Sequence, residues 1–199
     1  WRIGFDLSDI LKDKYKPTEP VLAYLFHLRE LMLDKVAAKN GLLVNIIEEF
    51  WYALRFKFTE ELMLKMLKTD RKRGSWLILV SQSPEDAIKA DIFPAIVQQT
   101  PTKIFLPNPD AEYAGSYERC GLTLKEYQEL VKKSLDSRIF LVKQSKQSAF
   151  VKLDLYGFKD EIVFLSGSSD NIELLHKIMA THGDDVNQWY EPFIQAIHD

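Results

Sequence analysis

Apolar residues along this chain change rhythm from block to block, and each rhythm predicts an element. Residues 42–51, Leu-Leu-Val-Asn-Ile-Ile-Glu-Glu-Phe-Trp, begin as a near-continuous apolar run and stop abruptly in two adjacent acids. Such a run reads as a strand of a parallel sheet covered on both faces. Upstream, residues 2–6 (Arg-Ile-Gly-Phe-Asp) also read as a strand, and a turn-rich stretch over residues 12–20 follows. Val21, Leu25, Leu28 and Leu31 or Met32 then recur at helical spacing, which gives β, α, β order. Thr59 is placed to cap a helix with an apolar face of Leu62, Met63, Met66 and Leu67, running into a basic turn at residues 70–74.

The strand pattern returns at residues 76–80 and ends in Ser81, Gln82 and Ser83, with Pro84 suited to the first helical position behind a Ser83 cap. Residues 91–98 predict a short helix, and residues 102–106 a third core strand closed by Pro107, Asn108 and Pro109. Thr123 with Glu126 forms a capping-box pattern ahead of Leu124, Tyr127, Leu130 and Val131, so residues 123–135 predict a helix. The period then becomes two. Residues 138–144 and 148–155 predict a hairpin attached to the parallel sheet. Asp170 with Glu173 opens a further helix that Gly183 can close, and residues 189–197 predict the last one.

These elements predict one α/β domain over residues 1–199, with sheet core and hairpin in 1–160 and helices in 161–199. The 199-residue length and 46% hydrophobic content suffice for one substantial core. A net charge of −3 disfavours a broad nucleic-acid surface, although Arg71, Lys72 and Arg73 form a local basic cluster. DNA is therefore a possible partner that charge does not indicate. A single cysteine, Cys120, has no internal disulfide partner, and His27, His176, His182 and His198 lack zinc-ligand spacing, which fits a reduced, metal-free interior of a bacterial or cytosolic protein. No run of about 18 apolar residues or export signal is visible. The chain starts at Trp1 in an apparent strand, which reads as the carboxyl-terminal piece of something larger.

The acids carry the candidate chemistry. In open α/β sheets ligands bind beyond the carboxyl ends of the strands, where Glu48 and Glu49 sit. In P-loop nucleoside-triphosphate hydrolases, the first acid of such a pair holds Mg²⁺, usually through water, and the second polarises the water that attacks the γ-phosphate. A strand that merely stops at solvent explains two acids equally well. Gln82 lies at the neighbouring strand end, where it can sense a γ-phosphate, and Arg71 or Arg73 is suited to act across a subunit boundary; capping and solvated charge are the plain alternatives. Cys120 reads as a packed thiol. No Gly-x-x-x-x-Gly-Lys-Ser/Thr segment occurs, so a phosphate cradle would have to lie upstream of Trp1.

Gly4-Phe5-Asp6, Ile46-Ile47-Glu48-Glu49-Phe50-Trp51, Ser81-Gln82-Ser83-Pro84, the segment from Gln99 to Asn108 (Gln-Thr-Pro-Thr-Lys-Ile-Phe-Leu-Pro-Asn) and His182-Gly183-Asp184-Asp185 together resemble, in order, the VirB/TrbE/CagE family of conjugation ATPases of bacterial type IV secretion systems. The resemblance covers nearly the whole chain. It implies the carboxyl-terminal part of a RecA-like P-loop NTPase core, a mostly parallel sheet flanked by helices with a hairpin, beginning after the phosphate loop. It implies Glu48 and Glu49 as the Walker B acids, with Glu48 on Mg²⁺, Gln82 as sensor, and Gln99 in a further motif near the nucleotide. It also implies Arg71 as the arginine given to a neighbouring subunit and Arg138 as a phosphate contact. Where the family usually has Asp-Glu, a small residue and Trp, this chain has Glu48 and Phe50 at the first and third places. The implied protein hydrolyses ATP with Mg²⁺ in a homo-oligomer, by expectation hexameric. It sits peripherally at the cytoplasmic face of the bacterial inner membrane among secretion components, including the coupling protein and inner-membrane proteins. The fragment alone is expected to hydrolyse poorly. The rival expectations are a non-catalytic docking and oligomerisation module, built on the helices of residues 170–197, and a DNA-translocating motor of the HerA/FtsK type.

Overall fold

A computed structural model describes residues 2–11, 17–110 and 112–198; part of the turn-rich stretch expected at 12–20 lies outside them. The chain divides into two compact units, Trp1–Lys152 and Leu153–Asp199.

In the first unit, helix α1 (Thr18–Ala37) leads into strand β1 (Leu43–Ile47), and helix α2 (Lys57–Thr69) leads into strand β2 (Ser75–Leu79). The two strands are parallel, with Leu43 opposite Ser75 and Ile47 opposite Leu79. Their inner face, including Ile47, Leu77 and Leu79, packs on a core of Phe50, Ala53, Met63, Leu67, Ala87, Ile92, Phe93 and Ile96. The outer face departs from the expected two-sided burial. Val44 and Ile46 are 46% and 63% exposed, and Trp76 and Ile78 are 63% and 45% exposed, so this sheet is covered on one side.

Helix α1 buries Leu22 and Leu33 and packs Phe26 against the core, which shifts its inward stripe by one position from the predicted Val21, Leu25, Leu28 series. Arg29 completes that stripe, and a search for apolar periodicity passes over it. Its guanidinium donates to the Asn45 side-chain oxygen at 3.0 Å and to Ser75 Oγ at 2.9 Å. It also pairs with Asp70 at 2.5 Å, where the Asp70 side chain is only 5% exposed. Asn45 in turn donates to Ser75 Oγ at 2.8 Å and to the Trp76 carbonyl at 3.1 Å. One partly buried cation thus joins α1, β1, β2 and the turn before β2. That turn closes at Gly74, whose φ of +78° and approach to the Gly41 carbonyl leave no room for a Cβ, which would lie 2.6 Å from that oxygen.

Thr59 is not a cap. Helix α2 begins at Lys57, and the fully buried Thr59 hydroxyl donates to the Ala53 and Phe56 carbonyls. Pro84 takes helical angles and the Ser83 hydroxyl accepts from the Glu85 N–H at 3.2 Å, as expected at the start of helix α3 (Glu85–Ile88). Helix α4 (Phe93–Gln99) follows.

Strand β3 (Thr102–Phe105) corrects the expectation of a third parallel strand. It pairs antiparallel with β4 (Ile139–Gln144), which pairs antiparallel with β5 (Gln147–Lys152). A short apolar run states that a strand exists and leaves its partner to tertiary packing. The fold is accordingly α/β with a parallel pair and a separate three-stranded antiparallel sheet, flanked by helices. The predicted hairpin is present within the antiparallel sheet. Residues 2–7 form no strand, because no neighbouring strand supplies a ladder among the described residues. Helix α5 (Leu124–Val131) opens with the full capping box, Glu126 N–H to Thr123 Oγ1 and Thr123 N–H to Glu126. It covers a second core of Phe105, Tyr117, Leu122, Leu130 and Leu141.

The second unit holds helices α6 (Lys159–Leu165), α7 (Ser169–His182) and α8 (Val186–His198) around Trp189, Phe193 and Ile194, with Phe164 packed against them. Gly183 closes α7 at φ +90°, as its position predicted, while Ser168 rather than Asp170 caps its start.

Two outcomes follow. Replacing Arg29 by Met leaves the Asp70 carboxylate buried without its principal partner and is expected to destabilise the fold by about 3 kcal/mol in urea denaturation; a loss below about 1 kcal/mol would contradict the network. Burial raises the Cys120 thiol to about 11 despite nearby Lys103. Its alkylation by iodoacetamide at pH 8 should therefore run on the order of 100-fold slower than that of a free thiol, and a rate equal to the free thiol would refute the packed assignment.

Candidate functional site

The parallel ladder extends beyond its last strand residues. Val80 N–H donates to the Ile47 carbonyl at 3.0 Å, and Phe50 N–H donates to the Val80 carbonyl at 3.3 Å. These two bonds hold the chain just after β1 beside the chain just after β2, so Glu48 and Glu49 emerge next to Ser81 and Gln82. Glu49 itself adopts a left-handed backbone, φ +46° and ψ +42°, which is uncommon for a residue with a Cβ. The turn directs its side chain back across the strand ends.

Both oxygens of that carboxylate are engaged. Gln82 Nε2 donates to Oε1 at 2.6 Å, across 33 positions of sequence. Trp51 Nε1 donates to Oε2 at 2.6 Å. The Trp51 ring stacks on Tyr52 with centroids 4.0 Å apart, and the Arg55 guanidinium lies 5.9 Å and 5.3 Å from the Trp51 and Tyr52 ring centres. Glu48 is exposed and makes no hydrogen bond or ion pair with another described residue. Asp86, in the first turn of α3, joins the site from a third element. Partial burial, then the charges of Glu49 and Glu85, push its carboxyl above the usual range.

The structure thus brings Glu49 and Gln82 into contact, with Glu48 beside them as the preceding residue of the chain and hydrogen-bonded to neither Gln82 nor another described side chain. Gln99 lies exposed at the end of α4, and Arg138 is exposed in a left-handed turn before β4; neither bonds to the acids. Arg71 stands in the turn before β2, at the opposite end of the parallel pair from Glu49 and about 16 Å away along the strands. It is exposed, whereas its neighbour Arg73 is drawn down onto Glu30 at 2.6 Å and Asp34 at 2.5 Å. The basic turn therefore offers less free charge than its sequence suggests. Sequence reasoning gave Trp51 a place in the family motif and no role of its own, and it did not single out Asp86.

Among the described residues no group of three or more His, Cys, Asp or Glu side chains is arranged to hold a metal unaided. The exposed Glu48 carboxylate does fit Mg²⁺, which keeps waters and is commonly bound through one or two carboxylates together with substrate phosphates. No described helix is long and apolar enough to cross a membrane.

No family model matches the chain. Against individual proteins it is 37% identical over 195 residues to the type IV secretion system protein virB4 of Bartonella quintana, covering 97% of this chain and 24% of that protein. It is 35% identical over 190 residues to virB4 of Brucella suis, covering 96% and 22%. It is 30% identical over 191 residues to the type IV secretion system protein PtlC of Bordetella pertussis, again covering 96% and 22%. Among solved structures, the genome packaging NTPase B204 from Sulfolobus turreted icosahedral virus 2, in complex with ATP-gammaS, aligns with a TM-score of 0.49 at 20% identity, over 77% of this chain and 74% of that one. The chain spans about a quarter of the length of the curated relatives it matches. Over nearly all of its own length, this chain is a homologue of the VirB4 and PtlC proteins of type IV secretion systems, as the resemblance in its motifs implied.

Proposed function

We propose that these residues form one wall of an ATP-hydrolysing site whose turnover energises substrate transfer or pilus assembly in type IV secretion. The observation that carries this reading is the contact between Glu49 and Gln82 at the carboxyl ends of two parallel strands. An acid beside a neutral amide is the pairing needed to orient an attacking water and to register the phosphate it attacks.

In this reading Glu49 accepts the water's hydrogen bond and draws its proton as the oxygen closes on the γ-phosphate. Gln82 turns its amide from Glu49 toward the γ-phosphate when nucleotide is bound. Glu48 would hold Mg²⁺ through water; when bound, that ion neutralises charge on the phosphates. Glu48 stands where the family usually has Asp, and its longer side chain would still reach that ion through water. Arg71 is exposed at the opposite end of the parallel pair from this site within its own chain, which suits it to serve the site of an adjacent copy in a homo-oligomeric, by expectation hexameric, assembly. Gln99 and Arg138 are assigned nucleotide and phosphate contacts on the family resemblance.

No phosphate-binding loop motif exists in the sequence, so the backbone cradle is assigned to polypeptide outside these 199 residues, and the isolated segment is expected to hydrolyse slowly. The assembly would work peripherally at the cytoplasmic face of the inner membrane, with coupling and inner-membrane secretion proteins as partners. The pairing of Arg73 with Glu30 and Asp34 gives no support to a DNA-translocating role.

In a full-length protein carrying this segment, Glu49→Gln should lower ATP turnover by about 10²- to 10⁴-fold while ATP still binds, as read by steady-state phosphate release and nucleotide titration. Unchanged turnover would reject the assignment.

A further inference from the structure

The Glu49 carboxylate is held by two donors of unlike character. Gln82 is exposed, lies on the loop after β2, and makes a single side-chain hydrogen bond, the one to Glu49. Among the described residues no other hydrogen bond fixes its amide, so it can turn away at low cost. Trp51 is half-buried, stacked flat on Tyr52 at 4.0 Å with an interplanar angle of 27°, and overlain by the Arg55 guanidinium. Moving its indole means breaking that stack together with a cation–π contact. The left-handed turn at Glu49 makes the arrangement possible, because it folds the acid back within 2.6 Å of an indole only two positions along.

From this asymmetry we infer that Trp51 is a positioning residue for Glu49: its indole N–H fixes one carboxylate oxygen, leaving the other free to exchange the Gln82 amide for the attacking water. This rests on the reading of Glu49 as the water-polarising acid and deepens it. A glutamate side chain has three rotatable bonds, and a water must be oriented within hydrogen-bond reach to react. An anchored oxygen removes most of that freedom before nucleotide arrives. With no anchor, release of Gln82 would leave the carboxylate to wander over the strand ends. Trp51 touches neither water nor phosphate in this account, so its effect passes entirely through Glu49.

The test is a kinetic cycle in the full-length protein, using Trp51→Phe, Glu49→Gln and the double variant. Phe keeps an aromatic face for Tyr52 and removes the donor. Expected for Trp51→Phe is a fall in kcat of about 10-fold with KM for ATP within about twofold of the unsubstituted protein. On the Glu49→Gln background the same substitution should change residual turnover by less than about twofold, because the group it positions is already gone. Where Trp51→Phe fails to fold, β-(3-benzothienyl)alanine at position 51 retains the indole outline without the N–H and carries the same expectation. A kcat left intact by loss of the donor overturns the inference, as does an equal fall on both backgrounds. The Glu49→Gln variant alone reports on the hydrolytic reading, so failure of that reading is distinguishable from failure of the anchor.

Discussion

The partly buried guanidinium of Arg29 is the constraint on which the rest of the site depends. A partly desolvated cation must find partners, and this one finds them on three other pieces of chain, Asn45, Ser75 and Asp70, and at 3.2 Å on its own helix, Glu30. Through Asn45 and Ser75 it locks the register of β1 against β2. A slip of one residue would turn Ile47 and Leu77 out of the core and move Asn45 away from its acceptors. It would also carry Glu49 past Gln82. The amino-terminal end of the parallel pair, remote from Glu49 and Gln82, thereby decides what meets at its carboxyl-terminal end.

At that far end the fold accepts local strain and binds it with side chains. The left-handed Glu49 would be unfavourable alone, yet the ladder bonds through Val80 and Phe50 fix the backbone on both sides of it. Trp51 and Gln82 then determine where the carboxylate points. Asp86 stands at the same edge, where partial burial and then the charges of Glu49 and Glu85 raise its proton affinity. The apolar outer face of the pair, with Ile46 and Trp76 each 63% exposed, separates this sheet from the doubly covered arrangement its sequence suggested.

What the sequence made legible was local. The acids at the end of a strand, the Ser83–Pro84 helix start, the Thr123–Glu126 box and the Gly183 stop all depend on chemistry within a few residues, and each is found where expected. The losses came from non-local choices. Strand β3 needed a partner, and only packing chose the antiparallel β4; residues 2–6 had strand character with no ladder to join among the described residues. The stripe of α1 was displaced because its key member is a cation, and Thr59 was mistaken for a cap because a buried hydroxyl and a capping one look alike in sequence. Trp51 was hidden for a similar reason: its indole N–H matters only once the turn at Glu49 has folded back toward it.

The most direct test is a structure of the full-length protein with a slowly hydrolysed ATP analogue. The account predicts the γ-phosphate within one water of the Glu49 carboxylate, the Trp51 bond intact, and the Gln82 amide turned from Glu49 to the phosphate. Nucleotide bound away from the carboxyl ends of β1 and β2, with the Glu49–Gln82 contact undisturbed, would contradict it.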